Sequence, residues 1–316
     1  MATTLLTPPR VRALLDAHGL RPVKALGQHY LADPNTVRKV ARLAAIEPGE
    51  QVLEVGPGLG SLTLALREAG ARVVAVEADA RLLPALAEAL GAVGGHGPTA
   101  ASTGSGDPGS RGASRWVGAD PQVEVQVGDA LRVDLEAVAP EARKLVANLP
   151  YNIAATLVLR VLGEFPRYQR LIVMVQREVG ERLAAASGSD LYGAVSVKVA
   201  ARAEARVLGS VSRRVFVPEP RVDSVLLELR RRRHPALDGL DDALVTRVID
   251  AAFAQRRKTL RNALRGLGLD PAQVEAVGRD AGVDLGLRAE RLDLPMFAAL
   301  ARALARVAPA LDVGPV

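Results

Sequence analysis

The tetrapeptide Asn148-Leu149-Pro150-Tyr151 follows directly on a β-type run, Lys144 to Ala147. An Asn amide, the carbonyls of a proline-stiffened turn and an aromatic face place oxygen acceptors beside a stacking surface. That set suits a flat exocyclic amine awaiting alkylation. The lone pair of adenine N6 is delocalised into the ring, so the amine becomes nucleophilic only when hydrogen bonds to both N–H groups favour a pyramidal nitrogen. Acceptors therefore matter more than a base. Asn148 Oδ1 and the Leu149 or Pro150 carbonyl are the candidate acceptors. Tyr151 and Phe216 are the candidate stacking partners for a flipped base. Aromatic residues make up only 3% of the chain, so those placed beside Pro or Asn stand out. The chemistry indicated is methylation at adenine N6. A turn-forming Asn148 and a core-filling Phe216 under the loop Val215 to Pro220 are the structural alternatives.

Glu54-Val55-Gly56-Pro57-Gly58-Leu59-Gly60 closes a buried strand and opens a helix, the place where doubly wound sheets bind ligands. The dinucleotide fingerprint requires a glycine at the sixth position counted from Gly56, where Ser61 stands, so that fingerprint fails. The spacing present, preceded by an acidic residue, resembles motif I of S-adenosylmethionine-dependent methyltransferases. Glu77 ends the next strand, where a carboxylate can accept from both ribose hydroxyls. Asp129 ends the third and can accept from the cofactor's adenine amino group. Asp79 competes with Glu77 for the ribose, although its position also suits the start of a helix. A sulfonium donor needs alignment rather than a metal ion. His18, His29, His96 and His234 are scattered without ligand spacing, so no metal is expected. His29, in the loop Lys24 to Leu31, either meets the methionine end of the cofactor or is an ordinary exposed histidine.

These residues need a scaffold that presents strand ends side by side, and the hydropathy pattern supplies it. Strands are predicted at Gln51 to Val55, Arg72 to Val76, Val123 to Val127, Lys144 to Ala147 and Arg170 to Val175. Between them lie helical patterns at Ser61 to Glu68, Arg81 to Leu90, Ile153 to Leu162 and Glu178 to Ala186. Alternation of this kind gives an α/β fold, a doubly wound, Rossmann-like parallel sheet. The run through Val199 and the stretch Ser224 to Leu229 read as later strands, an antiparallel hairpin at the sheet edge. Ahead of the sheet, Thr7, Pro8, Pro9 and Gly19 bound one helix. Asp33-Pro34 start another that runs to about Ala45, with Val37, Val40, Ala41 and Ala44 on one face. Behind it, Asp241 to Phe253, Lys258 to Leu267, Pro271 to Gly278 and Pro295 to Val307 form a small all-helical domain. The organisation expected is an N-terminal helical flap and loop (1–50), a methyltransferase domain (51–234) and a C-terminal helical RNA-binding domain (235–316). Gly91 to Asp120, rich in Gly, Ser, Thr, Ala and Pro, reads as a disordered surface insertion.

Composition narrows the classes. Of 316 residues 49% are hydrophobic, enough for a large core plus an appendage, and the absence of cysteine excludes disulfides, zinc fingers and thiol nucleophiles. No run approaches the roughly 18 apolar residues of a membrane span, and no secretory signal is present; a cytoplasmic protein is expected. A net charge of +6 favours polyanionic partners. Arg256, Arg257, Lys258, Arg261 and Arg265 are the candidate phosphate contacts, because positions 257, 258, 261 and 265 can share one helix face; a solvated face is the alternative.

Several separate motifs together resemble the KsgA/RsmA family of small-subunit ribosomal RNA adenine N6,N6-dimethyltransferases. They are Leu26-Gly27-Gln28-His29-Tyr30-Leu31, with Tyr30 where Phe is usual; Leu53 to Gly60; Gly128-Asp129-Ala130; and Asn148 to Asn152. Phe216-x-Pro218-x-Pro220-x-Val222-Asp223-Ser224 and Phe253 to Leu264 complete the set. The resemblance implies an enzyme that dimethylates two adjacent adenines near the 3′ end of 16S rRNA, acting on a precursor of the small ribosomal subunit; a monomer is expected, since nothing in the sequence suggests an obligate dimer. Matched residue for residue, it implies that His29, Leu31, Gly56, with Gly58 of the same turn, Glu77, Asp129 and Asn148 bind S-adenosylmethionine. Asn148, Tyr151 and Phe216 would grip the target adenine. The 23S rRNA adenine methyltransferases share the glycine turn and the Asn-x-Pro-Tyr turn, but the segment Phe253 to Leu264 and the helical tail fit the small-subunit enzymes better. A non-catalytic RNA-binding factor and a nicotinamide oxidoreductase are the rivals from other classes. Intact Glu77, Asp129 and Asn148 speak against the first, and Ser61 against the second.

Overall fold

Lys144 and Arg170 both reach the same helix end, and this fixes the N-terminal segment to the sheet. The computed structural model describes residues 4–23, 27–91, 122–255 and 258–309, and the backbone of 115–117. Within them α1 (Pro8–Ala17), β1 (Tyr30–Leu31) and α2 (Pro34–Ala44) precede the sheet. Asp33 caps α2 by accepting from the Thr36 N–H, and Val37, Val40, Ala41 and Ala44 are all buried, as the sequence pattern predicts. At its far end Lys144 Nζ donates to the Ala45 carbonyl at 2.6 Å, and Arg170 donates to the carbonyls of Leu43 at 2.7 Å and Ala44 at 3.1 Å. Two cations thus satisfy carbonyls that the helix leaves without partners. Arg170 is itself held by the buried carboxylate of Glu228 at 2.6 Å.

The alternating region follows as β2 (Gln51–Val55), α3 (Ser61–Glu68), β3 (Arg72–Glu77), α4 (Leu83–Ala89), β4 (Arg115–Val117), β5 (Val123–Val127), α5 (Leu135–Val138), β6 (Lys144–Asn148), α6 (Ala154–Glu164), β7 (Arg170–Gln176) and α7 (Arg177–Leu183). Next come α8 (Ala194–Arg202), β8 (Ala203–Val211), β9 (Phe216–Val217) and β10 (Ser224–Arg231), and then α9 (Asp242–Phe253), α10 (Leu260–Arg265), α11 (Pro271–Ala281) and α12 (Leu294–Val307). The main sheet runs β4-β5-β3-β2-β6-β7-β10-β8. Strands β5, β3, β2, β6 and β7 are parallel, with β4 and β10 antiparallel to their neighbours. From β2 the chain winds outward through β3 to β5, then returns to β6 on the other side of β2. A crevice therefore opens beyond the carboxyl ends of β2 and β6, where Gly56 and Asn148 lie. A separate pairing of β1 with β9 sets Leu31 opposite Phe216.

Three expectations are corrected. The segment Ala194–Arg202, read as a strand from its alternating valines, is a helix: Ser196 Oγ accepts from the Gly193 N–H at 3.1 Å, satisfying an otherwise open donor, and Val197 and Ala201 face a helical core one turn apart. The edge strand is instead β8, whose mixed Ala, Arg and Gly composition hides it. The helix predicted from Arg81 begins as a 3-10 turn, Ala80–Leu82, capped by Asp79, and becomes α-helical at Leu83. Within the segment read as a disordered insertion, Arg115–Val117 pairs with β5; residues 92–114 and 118–121 lie outside the described residues.

Packing divides the chain into two compact units, residues 1–180 with 206–230 and residues 181–205 with 231–316. The second unit packs helices around Phe297, stacked on Phe253 with ring centres 5.9 Å apart, while the buried Tyr192 hydroxyl donates to the Leu292 carbonyl at 2.8 Å. Among the described residues no helix is long and apolar enough to cross a membrane.

Candidate active site

The turn after β2 packs tightly against its neighbours because of what its glycines lack. Gly58 and Gly60 have φ of +56° and +87°, conformations that side chains disfavour. A Cβ on Gly58 would come within 3.1 Å of the Tyr30 ring, and one on Gly60 within 2.7 Å of Leu86. Beside this turn Glu77, 6% exposed, ends β3. Its Oε2 accepts from the Gly58 N–H at 3.1 Å and its Oε1 from the Asp79 N–H at 2.9 Å. An ionised carboxylate offers about four acceptor positions, so capacity for a diol remains. Burial pushes the Glu77 carboxyl above the usual carboxylate range, opposed by backbone N–H groups, those of Asp79 and Gly58 foremost.

Asp79 is engaged differently. It binds Arg81 through both oxygens, accepts from Gln28 Nε2 at 2.9 Å and caps the 3-10 turn. Arg81 above all holds its carboxyl down at about 2, despite partial burial. The sequence leaves Glu77 and Asp79 in competition; the geometry leaves Glu77 with acceptor capacity toward the cavity and Asp79 committed to protein partners. Glu54, in β2, is fully buried, and desolvation pushes it to about 8 against a hydrogen bond from Thr63 Oγ1 at 2.7 Å, with the Glu77 charge adding to the rise.

At the tip of β6, Asn148 Nδ2 donates to the His29 carbonyl at 3.3 Å, which leaves Oδ1 as the end of the amide able to accept from a ligand. Tyr151 stacks on His29 with ring centres 5.4 Å apart, and His29 Nδ1 bonds the Pro218 carbonyl at 2.8 Å. The Tyr151 hydroxyl lies 3.4 Å from Ser224 Oγ. Asp129 Oδ1 accepts from the Leu131 N–H at 2.9 Å.

One cavity of about 360 Å³ is lined by His29, Leu31, Gly56, Gly58, Glu77, Asp129 and the whole Asn148-to-Tyr151 turn. Phe216 is not among the lining residues. At 3% exposure it packs in the core, its backbone paired with Leu31, so it supports the cavity wall from behind. Sequence reasoning passed over Gln28, Tyr30, Glu54, Leu131 and Asn152, which also line the cavity. The signal available for Gln28 and Tyr30 was a long amide and an aromatic ring within one short loop beside His29. Among the described residues no group of three or more His, Asp or Glu side chains is placed to hold a metal ion.

The family model for ribosomal RNA adenine dimethylase matches residues 21–97 and 113–304. The chain belongs to this family. It is thus a methyltransferase by descent. A ribosomal RNA small subunit methyltransferase A from Thermobifida fusca is 46% identical over 298 residues, covering 94% of this chain and 95% of the relative. One of the same name from Cutibacterium acnes is 43% identical, covering 99% of each chain. Among solved structures, a dimethyladenosine transferase from Plasmodium falciparum shares the fold with a TM-score of 0.66 at 20% identity, covering 88% of this chain and 98% of its own. The 23S rRNA methyltransferase ErmE does so with a TM-score of 0.60 at 24% identity, covering 87% and 99%.

The basic stretch of this dimethylase departs from expectation. Arg256 and Arg257 lie outside the described residues. Lys258 is exposed but precedes α10, whose cap is Thr259, so it does not share a helix face with Arg261. Arg261 forms an ion pair with Glu275. Two other arginines, Arg230 and Arg233, pair with Glu228 and Asp242.

Proposed function

We propose that this dimethylase transfers methyl groups from S-adenosylmethionine to N6 of two adjacent adenines near the 3′ end of 16S rRNA, dimethylating each during assembly of the small ribosomal subunit. The observation that carries the reading is the convergence in one cavity of the Asn148-to-Tyr151 turn with Gly56, Gly58 and Glu77. The residues fit the cofactor: a carboxylate with free acceptor positions suits its ribose diol, and a glycine-rich turn at the cavity wall suits close backbone approach. His29, Leu31, Asp129 and Asn148 complete the cofactor set in this reading. When bound, S-adenosylmethionine supplies an electrophilic methyl group on a sulfonium.

The chain's own residues prepare the nucleophile. Asn148 Oδ1 and the Leu149 or Pro150 carbonyl accept the two N6 hydrogens and favour a pyramidal nitrogen, and Tyr151 stacks on the flipped base. The amide is pre-set by the His29 carbonyl, so little reorganisation is needed at the moment of transfer. Phe216 contributes by backing Leu31. In this reading the helical unit grips structured RNA through its backbone, with Arg256, Arg257, Lys258 and Arg261 as the contacts and Arg261 exchanging Glu275 for phosphate. The enzyme would work as a monomer in the cytoplasm, on a small-subunit precursor. The names of relatives above 40% identity favour the small-subunit RNA over 23S RNA.

The test is transfer of labelled methyl groups from S-adenosylmethionine to unmethylated small subunits, followed by nuclease digestion. N6,N6-dimethyladenosine from the 3′ region is the expected product; label only in 23S RNA, or none, would refute the assignment.

A further inference from the structure

Glu77 accepts from the backbone N–H groups of Gly58 and Asp79, and both of these residues are gripped by the flap loop. Gln28 sits at the centre of this arrangement. Its Oε1 accepts from the Val23 N–H at 2.9 Å and from the Tyr30 hydroxyl at 3.1 Å, and its Nε2 donates to Asp79 Oδ2 at 2.9 Å. The amide can take only this orientation, because Val23 offers a donor and the ionised Asp79 carboxylate only accepts. The Tyr30 ring then lies against Gly58, whose missing side chain makes room for it. Asp79 and Gly58 in turn supply the two N–H groups on Glu77. A closed circuit results: Tyr30, Gln28, Asp79, Glu77, Gly58 and back to Tyr30.

We infer that Tyr30 and Gln28 are positioning residues that orient the Glu77 carboxylate toward the two hydroxyls of a cofactor ribose, so that they set the enzyme's discrimination for an intact diol; the inference rests on the proposed cofactor role of Glu77. The circuit joins residues far apart in sequence, in the flap and at two strand ends, and all five line the cavity. The Tyr30 hydroxyl is what commits the aromatic ring to Gln28. Without it the ring can still pack on Gly58 and Gln28 still joins the loop to Asp79, but the ring over Gly58 is no longer tied to the Gln28 amide, so the circuit is open on the Gly58 side of Glu77. A carboxylate free to rotate by even a fraction of an ångström loses one of two simultaneous hydroxyl contacts before it loses both.

The experiment is calorimetric binding of S-adenosylhomocysteine and of its 2′-deoxy counterpart to the full-length wild type, Tyr30→Phe and Gln28→Leu, with the melting temperature of each protein recorded. The wild type is expected to favour the intact diol by about 10- to 100-fold, the range of one hydrogen bond to a charged group. Tyr30→Phe, which removes a single oxygen and keeps the ring, should lower that ratio several-fold at an unchanged melting temperature, and Gln28→Leu should lower it further. Variants that keep the wild-type ratio overturn the inference, whether their affinities are unchanged or fall equally for both ligands, since an equal fall reports only loop packing. If Gln28→Leu does not fold, Tyr30→Phe alone decides. A wild type that binds neither ligand, or both equally, would remove the cofactor role of Glu77 itself, an outcome distinct from failure in the variants.

Discussion

Asn148 donates its Nδ2–H to the carbonyl of His29 at 3.3 Å, a bond that spans 119 positions of chain and ties the tip of β6 to the flap loop. The bond orients the amide: Nδ2 faces the His29 carbonyl, and in the proposed reading Oδ1 is the end offered to the substrate amine.

Asn148→Ala removes that oxygen and leaves the glycine turn and Glu77 untouched. Methyl transfer is expected to fall about 10²- to 10³-fold, the usual effect of losing one preorganised polar group at a reacting centre, while cofactor affinity changes far less. Single-turnover transfer compared with calorimetric affinity separates the two effects. Normal turnover in the variant would remove Asn148 from the chemistry.

Glu77→Gln probes the cofactor side. Both carboxylate oxygens accept backbone N–H groups, from Gly58 and Asp79, so an amide NH₂ at either place faces a donor. Cofactor affinity is expected to drop by about 10- to 100-fold through the lost charge-assisted bonds and the new mismatch, with RNA retention on filters unchanged. Unaltered affinity would contradict the ribose role.

The strands and their ends were legible because burial on both faces gives near-continuous apolar runs in β3, β6 and β7, and alternation of valine with polar residues marks β5; a parallel sheet turns such runs into a row of neighbouring tips. Gly56, Glu77, Asp129 and Asn148 could therefore be placed together from sequence order alone. What the pattern hid depends on tertiary context. Val195, Val197 and Val199 alternate like a strand, yet the Ser196 cap and the helical core around Val197 and Ala201 make a helix. Phe216 was visible as an aromatic beside prolines, but whether its ring faces a cavity or the core is decided by the β1–β9 pairing. Gln28 gave no sign of its three hydrogen bonds, since partners 5 and 51 positions away leave no local signature.

Removal of residues 98–112 should leave the enzyme folded and active. The family model passes over this segment, matching up to residue 97 and again from 113, and its Gly, Ser and Pro content offers little to bury. The cut must stop short of Arg115, because Arg115–Val117 pairs with β5, the strand that leads into Asp129's turn. A melting temperature within a few degrees of wild type is the expected result. A loss of many degrees would show that the segment is part of the structure.

Glu54 predicts a pH dependence of stability with a definite sign. Its folded-state value is about 8 against an ordinary 4.5, raised chiefly by burial, so below pH 4.5 it is protonated in both folded and unfolded chains. As pH rises from 4.5 towards 8 the unfolded chain releases the proton while the folded chain keeps it, and stability falls across that window; above it both states are ionised and the loss is complete. Glu77 is also raised by burial, but it is present in wild type and variant alike and so largely cancels in their difference. Glu54→Gln keeps a neutral polar group beside Thr63 and cannot ionise. Its melting temperature relative to wild type should therefore climb steadily between pH 5 and pH 8. A difference that stays constant across this range would mean that Glu54 is already charged in the folded protein, and that Thr63 and its surroundings solvate the carboxylate far better than burial alone allows.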